Sequence, residues 1–212
     1  MLKSAEAGIA ALDFESATPS IVKSIRQRDL LNTWLRLYDR AKHPPRIEQY
    51  QPERLAEEMQ DLVYYTVDNA GGDLPRLTIE SNGTRMSVAY GHTGKGRLLH
   101  EYLGPALAPV VMPVYHECLK RALPIYSISR IDDIYGRVVA YERLLMPFWD
   151  GTGVSHVIAS LKTISDEGGF EIRNLIRGNA APPTPTLCAV IDRDLFHRLA
   201  GHLAGGDALE FT

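Results

Sequence analysis

Apolar positions fall on a helical beat soon after the start of the chain. Ile21, Ile25, Leu31, Trp34, Leu35 and Tyr38 recur at near-helical spacing, with Lys23, Arg26, Arg28, Arg36 and Arg40 on the other faces. Thr18-Pro19 opens this stretch, because proline is tolerated at the first helical position, where its missing N–H costs nothing. The pattern predicts an amphipathic helix over 19–42, preceded by a flexible leader over 1–18. His43-Pro44-Pro45 ends it, since a residue before proline is pushed out of the helical region. A shorter helix fits 52–59.

The beat then shortens. Leu62-Val63-Tyr64-Tyr65-Thr66-Val67 is β-branched and aromatic and runs into the turn cluster Asp68-Asn69-Ala70-Gly71-Gly72. Segments 77–80 and 85–90 read as a strand or a pair of strands around Asn82-Gly83. Helical spacing returns over 98–122, where Pro105, Pro109 and Pro113 predict two short helices or one kinked one, an interior proline costing about 3 kcal/mol. Three strands follow over 125–131, 138–148 and 154–164, the last two flanking the hairpin signal Asp150-Gly151. Beyond 167 the chain loosens. A linker over 180–186, a short apolar strand or turn over 187–191 and a tail helix over 192–204 make up a C-terminal segment, 168–212. This order describes an α+β domain over 19–167, with an antiparallel sheet, helices on one face, and the 19–42 helix outside the core.

Composition narrows the class. The chain has 212 residues, 45% hydrophobic and 23% charged, with a formal net charge of -3. That is enough apolar material for a real core. Lys and Arg are spread out and form no basic stripe, which argues against a nucleic-acid partner. No apolar run has the length of a signal-peptide core or a membrane span. Cys118 and Cys188 have no Cys or His at metal-ligand spacing and read as reduced core thiols, an expectation of a cytoplasmic setting with no metal site.

Catalytic signatures are weak. Gly91-His92-Thr93-Gly94-Lys95-Gly96 fails the phosphate-loop pattern twice, at Ala89 and at Gly96, and reads as a mobile Gly-rich loop. No nucleophile elbow, paired-carboxylate pattern or His/Glu metal motif is present. Ser155 and His156 are neighbours on a predicted strand, so they should face opposite ways and form no dyad. Tyr141 and Arg143 share a strand face. They line a pocket with Arg143 gripping an anion, or Arg143 lies on a wet face beside an acid, the more ordinary arrangement for an antiparallel sheet.

Trp34-Leu35-Arg36, Pro44-Pro45-Arg46, Asn82-Gly83-Thr84, Leu123-Pro124-Ile125-Tyr126 and the run Tyr141 to Pro147, in this order and spacing, resemble a proteobacterial PAS-like family over roughly residues 30–162. One departure stands out: Glu80-Ser81-Asn82 occupies positions where the family carries an arginine and an apolar pair. The resemblance implies a five-stranded antiparallel sheet with helices on one face and a sensing or docking role, and it carries over no catalytic residue.

The expectation is therefore a bacterial signal-transduction module and not an enzyme, binding a small ligand or a partner between sheet and helices. Met112, Tyr115, His116, Tyr126, Tyr141 and Arg143 are its candidate lining residues, aromatic walls with a few polar groups. No cofactor is named by the sequence. PAS pockets elsewhere can hold haem through one histidine, and His116 would be that ligand here, although a surface or hydrogen-bonded histidine is the more ordinary reading. A small enzyme using the same cavity is the competing class. The residues after 167 are too few for a catalytic output domain, so a signal would pass to a separate protein. The apolar face of the 19–42 helix is expected to form a two-fold dimer.

Overall fold

The computed structural model describes residues 12–69, 74–132, 135–165 and 182–192. Its organisation follows from the alternation along one strand, β5 (Val138–Trp149). Tyr141 and Leu145 project from one face, where they meet α4 (Leu99–Arg121) through Val111, Val114, Tyr115 and Cys118. Leu144, Met146 and Phe148 project from the other, where they meet α1 (Ile25–Ala41) through Leu30, Leu31 and Trp34. A period of two on the strand thus feeds two separate cores, one on each side of the sheet.

The remaining strands are β1 (Glu15–Ala17), β2 (Leu62–Asp68), β3 (Arg76–Asn82), β4 (Ile125–Asp132), β6 (Val154–Ser165) and β7 (Thr184–Ile191). Together they form one mixed sheet in the order β1-β7-β4-β5-β6-β2-β3. The α+β class holds, with two corrections. Strands β2 to β6 do form five antiparallel neighbours, but β7 adds antiparallel to β4, and β1 adds parallel to β7. Residues expected in the leader and in the linker therefore belong to the sheet: β4 presents a long edge, and Thr184 to Ile191 saturates its backbone groups. The expected tail helix lies outside the described residues. The second correction is that helices cover both faces.

That second point concerns the amino-terminal helix. Pro19–Ile21 is only a 3₁₀ turn, and α1 starts after Ser24, whose side chain accepts from the Gln27 N–H. Leu31 and Trp34 are completely buried, and the Trp34 indole N–H donates to the Pro147 carbonyl at 2.7 Å. Pro147 is compatible with a central strand because β4 begins opposite Leu145, before the proline is reached. The helix is part of the core: Leu31 and Trp34 of the face expected to drive dimerisation are buried against the sheet of its own chain, Ile21, Leu35 and Tyr38 are partly so, and Ile25 is exposed.

Two local features shape the cavity side. β3 stops at Asn82 because β2 offers no partner beyond Leu62, whose carbonyl takes the Gly83 N–H at 2.8 Å. A Cβ on Gly83 would lie 2.2 Å from the Gln60 carbonyl oxygen, so only glycine fits this crossing. The chain then coils into α3 (Thr84–Tyr90), where the sequence had suggested a strand. α4 is broken at Gly104 (φ 71, ψ 177), immediately before Pro105, into a short Leu99–Leu103 turn and a longer segment carrying the prolines. α2 (Leu55–Glu58) is a single turn leading into β2.

Candidate functional site

Strands β2, β3, β5 and β6, helix α3 and both parts of α4 enclose a small cavity of about 20 Å³. That is room for about one water. Its polar side is a cluster of phenols around one guanidinium. The Tyr65 and Tyr115 hydroxyls lie 3.1 Å apart, their rings edge to face at 5.3 Å. The Arg143 guanidinium sits 5.2 Å from the Tyr141 ring centroid and 5.6 Å from that of Tyr115, within cation–π range. Tyr141 also donates to the Met86 sulfur at 3.7 Å.

Burial pushes the hydroxyls of Tyr65, Tyr115 and Tyr141 above the ordinary tyrosine value, while the Arg143 charge pulls against it at all three. The phenols are therefore neutral donors at neutral pH, beside a fixed positive charge.

The opposite wall is pinned by Tyr102, whose ring sits under the Gly-rich loop. Its hydroxyl accepts from Asn82 Nδ2 at 3.0 Å and donates to the His92 carbonyl at 3.2 Å. A Cβ on Gly94 would come 2.5 Å from Ile79 Cδ1 and 2.7 Å from Tyr102 Cε2. Ile79 N–H donates to the Arg97 carbonyl, and Gly96 N–H donates to the Ile79 carbonyl. The loop expected to be mobile is thus docked along the edge of β3. Asn82 lines the cavity, and its Oδ1 is buried without a hydrogen-bond partner.

Three of the six expected lining residues, Tyr115, Tyr141 and Arg143, come together here. Arg143 is only 7% exposed, so the wet-face reading is overturned. Met112 is partly buried against the same core but does not line the cavity. Tyr126 lies on the other face of the sheet, where its hydroxyl accepts from the Lys23 N–H at 3.3 Å. Burial lifts the Tyr126 hydroxyl above its ordinary value, and the hydrogen bond and charge of Glu142 add to that. Its place follows from strand alternation: Tyr126 pairs with Leu144, so the two share a face.

His116 also misses the cavity. It lines an open, largely apolar groove of about 920 Å³ with Phe14, Leu74, Pro113, Leu119 and Val154. Partial burial lowers its pKa below 6.5. Tyr65, Tyr102 and Asn82 are site residues that the sequence reading did not single out. Alternation within 62–67 was the available signal for Tyr65, since it shares a face with Val63 and Val67.

Two further polar features lie elsewhere. Under α1, the Lys162 ammonium is 2.6 Å from both Glu58 and Asp61, each carboxylate side chain only 2% exposed. Arg26 reaches Glu58 at 3.1 Å, and Arg85 Nε comes within 3.0 Å of Asp61 Oδ1 without hydrogen-bond geometry. This network fastens the segment around α2 to β6. Ser155 Oγ and His156 Nδ1 lie 2.9 Å apart, contrary to the expectation from alternation, at a bulge where Phe148 pairs with His156 and Trp149 with Val154, leaving Ser155 out of register.

No family model, no curated protein and no solved structure matches this chain. Among the described residues, no cluster of three or more His, Cys, Asp or Glu could hold a metal ion. None of the described helices is long and apolar enough to cross a membrane.

Proposed function

We propose that this chain is a PAS-type regulatory module that binds a small molecule between α4 and the sheet and passes its state to a separate protein. The observation that carries this reading is the Tyr65–Tyr115–Tyr141–Arg143 cluster in the middle of an otherwise apolar core. Burying a guanidinium and three phenols costs free energy that a Leu, Phe or Met packing would not, and such local violations are expected at functional sites. The five antiparallel neighbours β2 to β6, with α3 and α4 inserted between the second and third of them, also support the PAS resemblance. His116 lies in the outer groove, so the haem alternative has no axial ligand from it in this cavity.

Incubating the purified full-length chain with fractionated metabolite pools separates a binding module from an enzyme. Thermal stabilisation without turnover, lost in Leu161→Trp, which fills the cavity, is the expected result. Turnover of a pool component would replace the module by an enzyme. The absence of stabilisation by every pool, together with no co-purifying ligand in native mass spectrometry, would end the ligand reading.

A further inference from the structure

The chemistry of the cavity wall narrows what it can take. Among its lining residues there is one formal charge, the Arg143 guanidinium, and no carboxylate. The neutral polar groups beside it, the hydroxyls of Tyr115 and Tyr141, can donate to an anion, and Arg143 contributes to holding both phenols below where burial alone would put them. Away from Arg143 the wall turns apolar, through Ile79, Met86, Leu99, Val111 and Leu161. Resting on the ligand-binding reading above, we propose that the ligand is a small monocarboxylate, its head on Arg143 and the phenol hydroxyls and its apolar body toward Leu99 and Val111.

Charge fixes this class. A single guanidinium matches one carboxylate in a fork, and a second anionic group would meet no second cation among the lining residues. A phosphate would bring about one to two negative charges near neutral pH against one cation. Asn82, a lining residue whose Oδ1 acceptor is buried without a partner, favours a body that carries one N–H or O–H donor. The present volume, about 20 Å³, holds no organic molecule, so binding includes outward displacement of the Leu99–Leu103 turn, which Gly104 separates from the rest of α4.

The test is a matched panel, benzoate, phenylacetate and hexanoate against benzamide, phenylacetamide and hexanamide, read by thermal shift and calorimetry on the full-length chain. The acids are expected to bind, the amides to bind at least about tenfold more weakly, and Arg143→Gln to erase the difference, while Arg143→Lys keeps part of it. Hydrogen exchange of the wild type reads the same site without a variant: the acids should change exchange at Leu99–Leu103 and around Tyr115, and the amides should not. Amides binding as tightly as acids, or acids binding Arg143→Gln as tightly as wild type, overturns the monocarboxylate assignment and leaves the cavity reading standing. No response to any of the three acids overturns the assignment too. Acid binding that survives Leu161→Trp undiminished overturns the cavity itself.

Discussion

Replacing Trp34 tests whether α1 is a core element or a dimer contact. The indole is completely buried among Leu30, Leu31, Tyr50 and Phe148, and its N–H donates to the buried Pro147 carbonyl at 2.7 Å. Trp34→Phe keeps most of the apolar contact but takes a donor from that carbonyl, a loss of about 1–3 kcal/mol. Trp34→Ala opens a cavity as well, and should cost about 3–5 kcal/mol. Against a total stability on the order of 5–15 kcal/mol for a domain, the alanine variant should sit close to unfolding at room temperature. Urea titration followed by circular dichroism measures both, and an unchanged slope assigns the effect to the native state. Ile25, 66% exposed at the start of the same helix, is the control: Ile25→Glu should move stability by no more than about 0.5 kcal/mol. The core reading is refuted if Trp34→Ala stays within about 1 kcal/mol of wild type, or if sedimentation shows a wild-type dimer that this variant splits into folded monomers.

The rest of the molecule yields three more expectations. Lys162→Met leaves Glu58 with only the half-exposed Arg26 and Asp61 with only the half-exposed Arg85, and should cost about 1–3 kcal/mol, most of it recovered in the triple variant with Glu58→Gln and Asp61→Asn; if the three substitutions simply add, the network reading fails. Gly83→Ala places a methyl 2.2 Å from the Gln60 carbonyl oxygen and should cost about 1–3 kcal/mol, whereas a variant as stable as wild type would show that the crossing is loose. Tyr65, Tyr115 and Tyr141 have folded pKa values raised above 10.0, so their contribution is complete below pH 10.0 and is lost as pH climbs. Stability should fall there by up to about 1.4 kcal/mol per pH unit for each tyrosine, more shallowly in Tyr141→Phe, and equal slopes in the two proteins would reject the assignment.

Periodicity carried most of the fold and failed where tertiary pairing decides. Segments 62–67, 125–131, 138–148 and 154–164 alternate or run apolar long enough to be legible as strands, and all four are. Arg85–Tyr90 has Val88 and Tyr90 at strand-like spacing, yet it is helical, because no neighbouring strand exists to accept it. β1 and β7 were read as leader, linker and a short strand or turn for the opposite reason: Glu15–Ala17 and Thr184–Thr186 have little strand character of their own and pair because each finds an edge waiting. The site was half legible. Tyr141 and Arg143 could be assigned to one face of β5, but which face lay over α4 depends on sheet order, and that placed Tyr126 on the wrong side.

The two layers around the sheet also decide which wall of the cavity can yield to a ligand. Arg143 cannot retreat easily, because β5 is hydrogen-bonded on both sides and its other face carries Leu144, Met146 and Phe148 into the α1 core. The longer part of α4 is committed through Val111, Val114, Tyr115 and Cys118, all buried. The Leu99–Leu103 turn is different: it is short, it ends at a glycine already out of helical geometry, and the Tyr102 hydroxyl ties it to Asn82 and to the His92 carbonyl. Moving it takes Leu99 and Tyr102 out of the core on that side, whereas moving the longer segment would take out Val111, Val114, Tyr115 and Cys118 together. On the proposed ligand-binding reading, a ligand that enlarges the cavity is expected to move this turn and the His92–Arg97 loop docked beside it, and to leave α1 where it is. On the proposed regulatory reading, the surface that reports the bound state is the β3 edge with its docked loop, on the far side of the sheet order from β1 and β7.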